Sequence, residues 1–97
     1  MHYKGFTKIQ NLDSYVNIKT LWLECNGILK IEGLENLLKL RMIYLNQNTI
    51  SKIENLNHLK NLVSINLSNN LIKVIEGLDG LNFLKTLELQ HNRIESI

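Results

Sequence analysis

The sequence predicts a right-handed solenoid of the α/β class, with a short parallel sheet on its concave side and turns and 3₁₀ segments on its convex side. A unit of 22 residues, Ile18–Lys39, recurs without change of length as 40–61 and 62–83. Seven of its positions stay apolar or aromatic from copy to copy, among them Leu21/Ile43/Ile65/Leu87 and Leu23/Leu45/Leu67/Leu89. An asparagine column, Asn26/Asn48/Asn70/Asn92, runs beside them. A fixed period of this size marks units that cannot bury their apolar edge alone and do so against their neighbours.

In chain order, residues 1–17 match the second half of the unit, with Phe6 at the Ile28 position, Ile9 at Ile31 and Tyr15 at Leu37. Lys4 breaks the asparagine column there. Full repeats follow at 18–39, 40–61 and 62–83, and 84–97 is a partial one. Neither end carries the polar cap that such arrays generally need, so the chain is expected to be a piece of a longer protein. In each unit the Leu21-x-Leu23 alternation predicts a short strand with both leucines on one face. About five such strands, in register and connected in one direction, form a parallel sheet with a spacing of roughly 4.8 Å.

The return path, Ile28-x-x-Ile31-x-x-Leu34-x-x-Leu37, has a spacing of three, which suits 3₁₀-like or irregular turns better than α-helix. Asn11, Gly33, Asn55 and Gly77 share one position in the unit. Asparagine and glycine tolerate positive φ, so a left-handed residue is predicted there. The ladders Lys8/Lys30/Lys52 and Glu32/Glu54/Glu76 flank the buried isoleucine on the outer surface and read as a solvated face.

The chain has 97 residues, 44% of them hydrophobic, and a formal net charge of +2. Periodic apolar content at this level argues against disorder. The charge is too small and too evenly spread to argue for nucleic acid or an anionic membrane. No apolar run approaches the length of a membrane span, and Met1–Phe6 lacks a secretory core. Cys25 is the single cysteine, so no internal disulfide forms, and an intracellular setting is expected.

Candidate functional residues fall into two sets. Asn26, Asn48, Asn70 and Asn92 are expected to be scaffold, because an amide at the strand end both donates to and accepts from the backbone of neighbouring turns. The positions between the strand leucines point to the concave face and are not needed by the repeat. They form the ladders Thr20/Met42/Ser64/Thr86, Trp22/Tyr44/Asn66/Glu88, His2/Glu24/Asn46/Ser68/Gln90 and Tyr3/Cys25/Gln47/Asn69/His91. Trp22 and Tyr44 are neighbours there, with Met42 and Tyr3 beside them, and an aromatic pair on an open sheet face is a partner anchor. Glu24, Asn66, Glu88, Gln90 and His91 supply the polar remainder of that surface.

Catalysis finds no constellation. Cys25 and His91 stand three strands apart in one ladder, roughly 14 Å, far beyond hydrogen-bonding reach. His2 and Glu24 can pair but lack a nucleophile, and His58 lies on the return side. Scattered histidines and one cysteine make no metal site, and the glycines follow the repeat rather than a phosphate loop. Asn66-Leu67-Ser68 is a formal glycosylation sequon on a strand and is discounted. No enzyme activity, cofactor or metal is expected.

The pattern L-x-x-L-x-L-x-x-N resembles the leucine-rich-repeat family in its short form, so the predicted architecture is a leucine-rich-repeat right-handed solenoid. The repeated Lys-Ile-Glu-x-Leu at Lys30–Leu34 and Lys52–Leu56 is similar to the intracellular subclass shared with a regulatory subunit of protein phosphatase 1. Lys4-Gly5-Phe6, the run Leu21–Ile28 and Asn66–Asn70 resemble the N-terminal repeats of the dynein axonemal assembly factor family. This resemblance implies a non-enzymatic scaffold in cytoplasmic preassembly of axonemal dynein arms for cilia or flagella. The implied partners are axonemal dynein subunits or assembly chaperones, with Trp22 and Glu24 at the matching concave positions. The alternative is a regulator that binds a phosphatase catalytic subunit through the same face. An RNA-linked member is disfavoured because the ladders carry no basic stripe.

Overall fold

The computed structural model describes residues 8–12 and 14–95. Strand β1 is Thr20–Trp22, β2 Met42–Tyr44, β3 Ser64–Asn66 and β4 Thr86–Glu88. The central residue of each strand points inward and its two neighbours outward, as a pleat of period two requires. The strands are all parallel, in the order β1-β2-β3-β4, with Leu21, Ile43, Ile65 and Leu87 in register. Backbone pairing runs on past the strands: Leu23 N donates to Tyr44 O at 2.9 Å and Cys25 N to Asn46 O at 3.1 Å. About five strands were expected and four are seen among the described residues. His2, Tyr3, Lys4, Phe6 and Ile97 lie outside the described residues.

The convex side is built from single 3₁₀-type turns. Leu37 N donates to Leu34 O and Leu40 N to Leu37 O, each at 3.2 Å, and Leu56, Leu59 and Leu62 repeat the arrangement one coil on. Because one such bond falls every third residue, each turn delivers its apolar residue to the inside, and no α-helix forms among the described residues. The core fills the space between sheet and turns. Ile28, Ile31, Leu34, Leu37, Leu40, Ile43 and Leu45 are all at most 1% exposed, each such burial contributing about 1.5–3 kcal/mol over leaving the side chain in water. Toward the β4 edge the same columns loosen, and Leu87, Leu89 and Ile94 are half-buried.

Tyr15 departs from the expectation. It keeps its column's turn, donating N–H to Leu12 O at 3.0 Å, yet is 49% exposed where Leu37 and Leu59 are 0%. A phenol hydroxyl taken into an apolar core needs a polar partner and is otherwise better left in water.

The left-handed column is present: φ is 63° at Asn11, 73° at Gly33, 60° at Asn55 and 71° at Gly77. At the two glycines a neighbouring carbonyl is also close. A Cβ on Gly33 would lie 2.6 Å from Ile9 O, and one on Gly77 would lie 2.6 Å from Ile53 O. A second left-handed column was not expected. Cys25, Gln47, Asn69 and His91, read from sequence as an outward ladder of the strands, have φ of 60°, 60°, 58° and 59°. They turn the chain out of the strand and into the asparagine that follows.

Candidate protein-interaction surface

The asparagines that follow those turns hold adjacent coils together. Asn48 Oδ1 accepts from the backbone N–H groups of Asn26 at 3.1 Å, Gly27 at 2.9 Å and Ile28 at 3.0 Å. Its Nδ2 donates to Leu23 O at 3.1 Å in the preceding coil and to Leu45 O at 2.9 Å in its own. Asn70 and Asn92 repeat the scheme, accepting from Ile50 N and Ile72 N at 3.0 Å and donating to Leu45 O and Leu67 O at 3.0 and 2.9 Å. Asn26 donates to Leu23 O at 3.0 Å and Glu24 O at 3.2 Å. With their side chains spent on backbone, these residues set the strand ends and leave the concave face to its neighbours.

On that face the register Trp22↔Tyr44↔Asn66↔Glu88 places four side chains in one row, one per strand. The Trp22 and Tyr44 rings stack with centroids 4.0 Å apart and planes 7° from parallel. Adjacent parallel strands set two in-register side chains about one strand spacing apart, so flat rings there meet face to face. The stack is not sealed: Trp22 is 43% exposed and Met42, at the start of β2, 37%. The row turns polar toward β4. Asn66 Oδ1 accepts from Ser68 N at 3.1 Å, and Glu88 ends β4 half-buried.

The next row holds Glu24, half-buried, and Gln90, exposed, whose Oε1 accepts from Ser68 Oγ at 2.8 Å. His91 and Cys25 lie in the left-handed turns, so they border the face rather than line it. The Cys25 thiol donates to Gln47 Oε1. His58 sits on the return side, with Nε2 3.2 Å from Leu34 O. The structure therefore brings Trp22, Tyr44, Met42, Asn66 and Glu88 onto one surface, puts Glu24 and Gln90 along its edge, and places His91 at its rim. Among the described residues no group of three or more His, Cys, Asp or Glu side chains could hold a metal ion, and no helix is long and apolar enough to cross a membrane.

The architecture is that of a leucine-rich-repeat solenoid with an open concave face. The family model for leucine-rich repeats in two copies matches residues 38–80. Among solved structures the chain is similar to an internalin (inlF) of Listeria monocytogenes, with a TM-score of 0.83 and 29% identity over 94% of this chain and 27% of that one. It is similar also to a chain of the Drosophila melanogaster SNF/U2A′ complex, with a TM-score of 0.81 and 29% identity over 94% of this chain and 56% of that one.

In sequence the chain resembles dynein axonemal assembly factor 1. It is 57% identical over 28 residues to the homologue of Drosophila erecta, a match covering 29% of this chain and 2% of that protein. Identity is likewise 57% over 28 residues with the homologue of Anopheles gambiae, covering 3% of its length. The matched stretch is thus a small part of those curated relatives.

Proposed function

We propose that this chain belongs to a non-enzymatic scaffold acting in the cytoplasm in the preassembly of axonemal dynein arms, and so in building motile cilia or flagella. It holds a protein partner, an axonemal dynein subunit or an assembly chaperone, against the concave face. Trp22 and Tyr44 are the anchor and Met42 flanks them. Glu24, Asn66, Glu88, Gln90 and His91 form the polar surround.

The observation that carries this reading is the stacked pair, left 43% exposed at Trp22 in a fold that buries its leucines and isoleucines almost completely. Large rigid aromatic surface of this kind dominates binding energy at interfaces, and a polar rim around it excludes water from the contact. The likeness to dynein axonemal assembly factor 1 homologues supports the direction in which the partner is sought.

The test is replacement of the endogenous protein by the Trp22→Ala/Tyr44→Ala variant in ciliated cells that express it. Expected are axonemes with missing dynein arms, seen by electron microscopy, at an unchanged level of the variant protein. Intact arms at that level would overturn the proposal.

A further inference from the structure

A second surface lies at the entrance to the strands, away from the aromatic stack. The column one residue ahead of each strand is Lys19/Arg41/Val63/Lys85, and two residues earlier stands Asn17/Lys39/Asn61/Phe83. These columns enclose a groove of about 430 Å³ lined by Lys19, Lys39, Arg41, Val63, Phe83 and Lys85, with Asn61 beside them. Its backbone is fixed: Lys19 O accepts from both Arg41 N at 2.8 Å and Met42 N at 3.0 Å, and Arg41 O accepts from Val63 N at 2.7 Å and Ser64 N at 3.1 Å.

Two properties of the groove point to a ligand. Four of the chain's 11 cations line it and no carboxylate does, although the chain as a whole is nearly balanced at +2. Lys39 Nζ donates to Asn17 Oδ1 at 3.0 Å, whereas the side chains of Lys19, Arg41 and Lys85 make no hydrogen bond or ion pair among the described residues. Lys19 and Arg41 occupy adjacent rungs, where like charges repel. Between these cations Phe83 is 62% exposed, an apolar ring with nothing to cover it among the described residues.

We propose that this groove binds an acidic peptide segment carrying an apolar side chain: carboxylates pair with Lys19, Lys39, Arg41 and Lys85, and the apolar group packs on Phe83 and Val63. The planar guanidinium of Arg41 takes a carboxylate bidentately. A peptide fits better than a nucleic acid, because four cations around one apolar pocket make a point of capture rather than a continuous phosphate track. A second cavity, of about 370 Å³, shares Lys19, Arg41 and Val63 with the groove and reaches Thr20 and Met42, so a bound segment can run on to the edge of the concave face. The proposal does not depend on the concave-face reading, since it uses neither Trp22 nor Tyr44.

The test is fluorescence anisotropy of the full chain with a short labelled Glu/Asp-rich peptide containing one leucine. Its controls are the same peptide with serine for leucine and an oligouridylate of equal charge. Lys39→Glu/Arg41→Glu is expected to weaken peptide binding by at least about tenfold, and raising the salt to about 1 M, where charges are screened within about 3 Å, to abolish it. Phe83→Ser is expected to weaken it about tenfold, the lower end of what burying one apolar side chain is worth. Should the charge reversal unfold the chain by circular dichroism, Lys39→Gln/Arg41→Gln takes its place. Unchanged affinity in the folded charge variant would overturn the proposal. So would equal binding of the serine peptide, or tighter binding of the oligouridylate.

Discussion

Asn55 Nδ2 donates to Ile31 O across 2.7 Å, at the position of the coil where Gly33 and Gly77 leave no room for a side chain beside the equivalent carbonyl. Two residue types thus solve one problem, φ near +60° to +73° against a neighbouring carbonyl, by hydrogen bonding or by absence. Gly77→Ala combines left-handed strain with the contact on Ile53 O and is expected to cost about 2 kcal/mol in chemical denaturation. Gly77→Asn carries the same Cβ but is expected to recover part of that loss, since its amide can reach Ile53 O as Asn55 reaches Ile31 O. Equal losses in the two variants would refute the relationship.

Asn48→Ala removes one acceptor shared by three backbone N–H groups and one donor shared by carbonyls of two coils. Buried groups left unpaired cost about 1–3 kcal/mol each, so a loss of about 3 kcal/mol is expected after partial relaxation. Asn48→Asp keeps the acceptor but loses the donor and buries a charge, and is expected to be no better at neutral pH. Asn92→Ala, half-buried, is expected to cost about 1 kcal/mol. A melting temperature unmoved by Asn48→Ala would show that the column is not structural.

Gln47 holds a left-handed conformation, φ 60°, that its side chain does not favour, while Asn69 holds the same one a coil later. Gln47→Asn is expected to stabilise the chain by about 0.5–1 kcal/mol in urea unfolding, because asparagine visits this region at lower cost. A loss of stability instead would mean that the contact between the Cys25 thiol and Gln47 outweighs the backbone preference.

Trp22→Ala/Tyr44→Ala is expected to cost about 1–1.5 kcal/mol, the value of a stacked pair on an open face. Ile43→Ala, directly behind them and 1% exposed, is expected to cost about 2–5 kcal/mol. Thermal melts of the two variants rank them. If the aromatic double variant is the worse, those rings are core.

The architecture was legible because repetition averages out local ambiguity. One Leu-x-Leu is a weak strand signal, but Leu21, Ile43, Ile65 and Leu87 at a constant interval can only be stacked rungs. Gly33 and Gly77 alternating with asparagines gave the left-handed column in the same way. The second such column stayed hidden because Cys25, Gln47 and His91 are not residues that announce positive φ; only Asn69 hints at it. The match of Tyr15 to the Leu37 position predicts an interior side chain, but position carries no information about a hydroxyl's need for a partner. The basic groove is not legible in the sequence for a different reason. Lys39 and Lys85 come together only when the columns ahead of the strands are folded beside one another, and the ladders between the strand leucines do not contain them.

Co-purification from ciliated cells tests the central claim most directly. The unaltered protein is isolated beside its Trp22→Ala/Tyr44→Ala variant, and the bound proteins are identified by mass spectrometry. Expected are axonemal dynein chains and their chaperones on the unaltered protein, lost from a variant that is still folded. A phosphatase catalytic subunit in their place, or the same proteins retained by the variant, would contradict it.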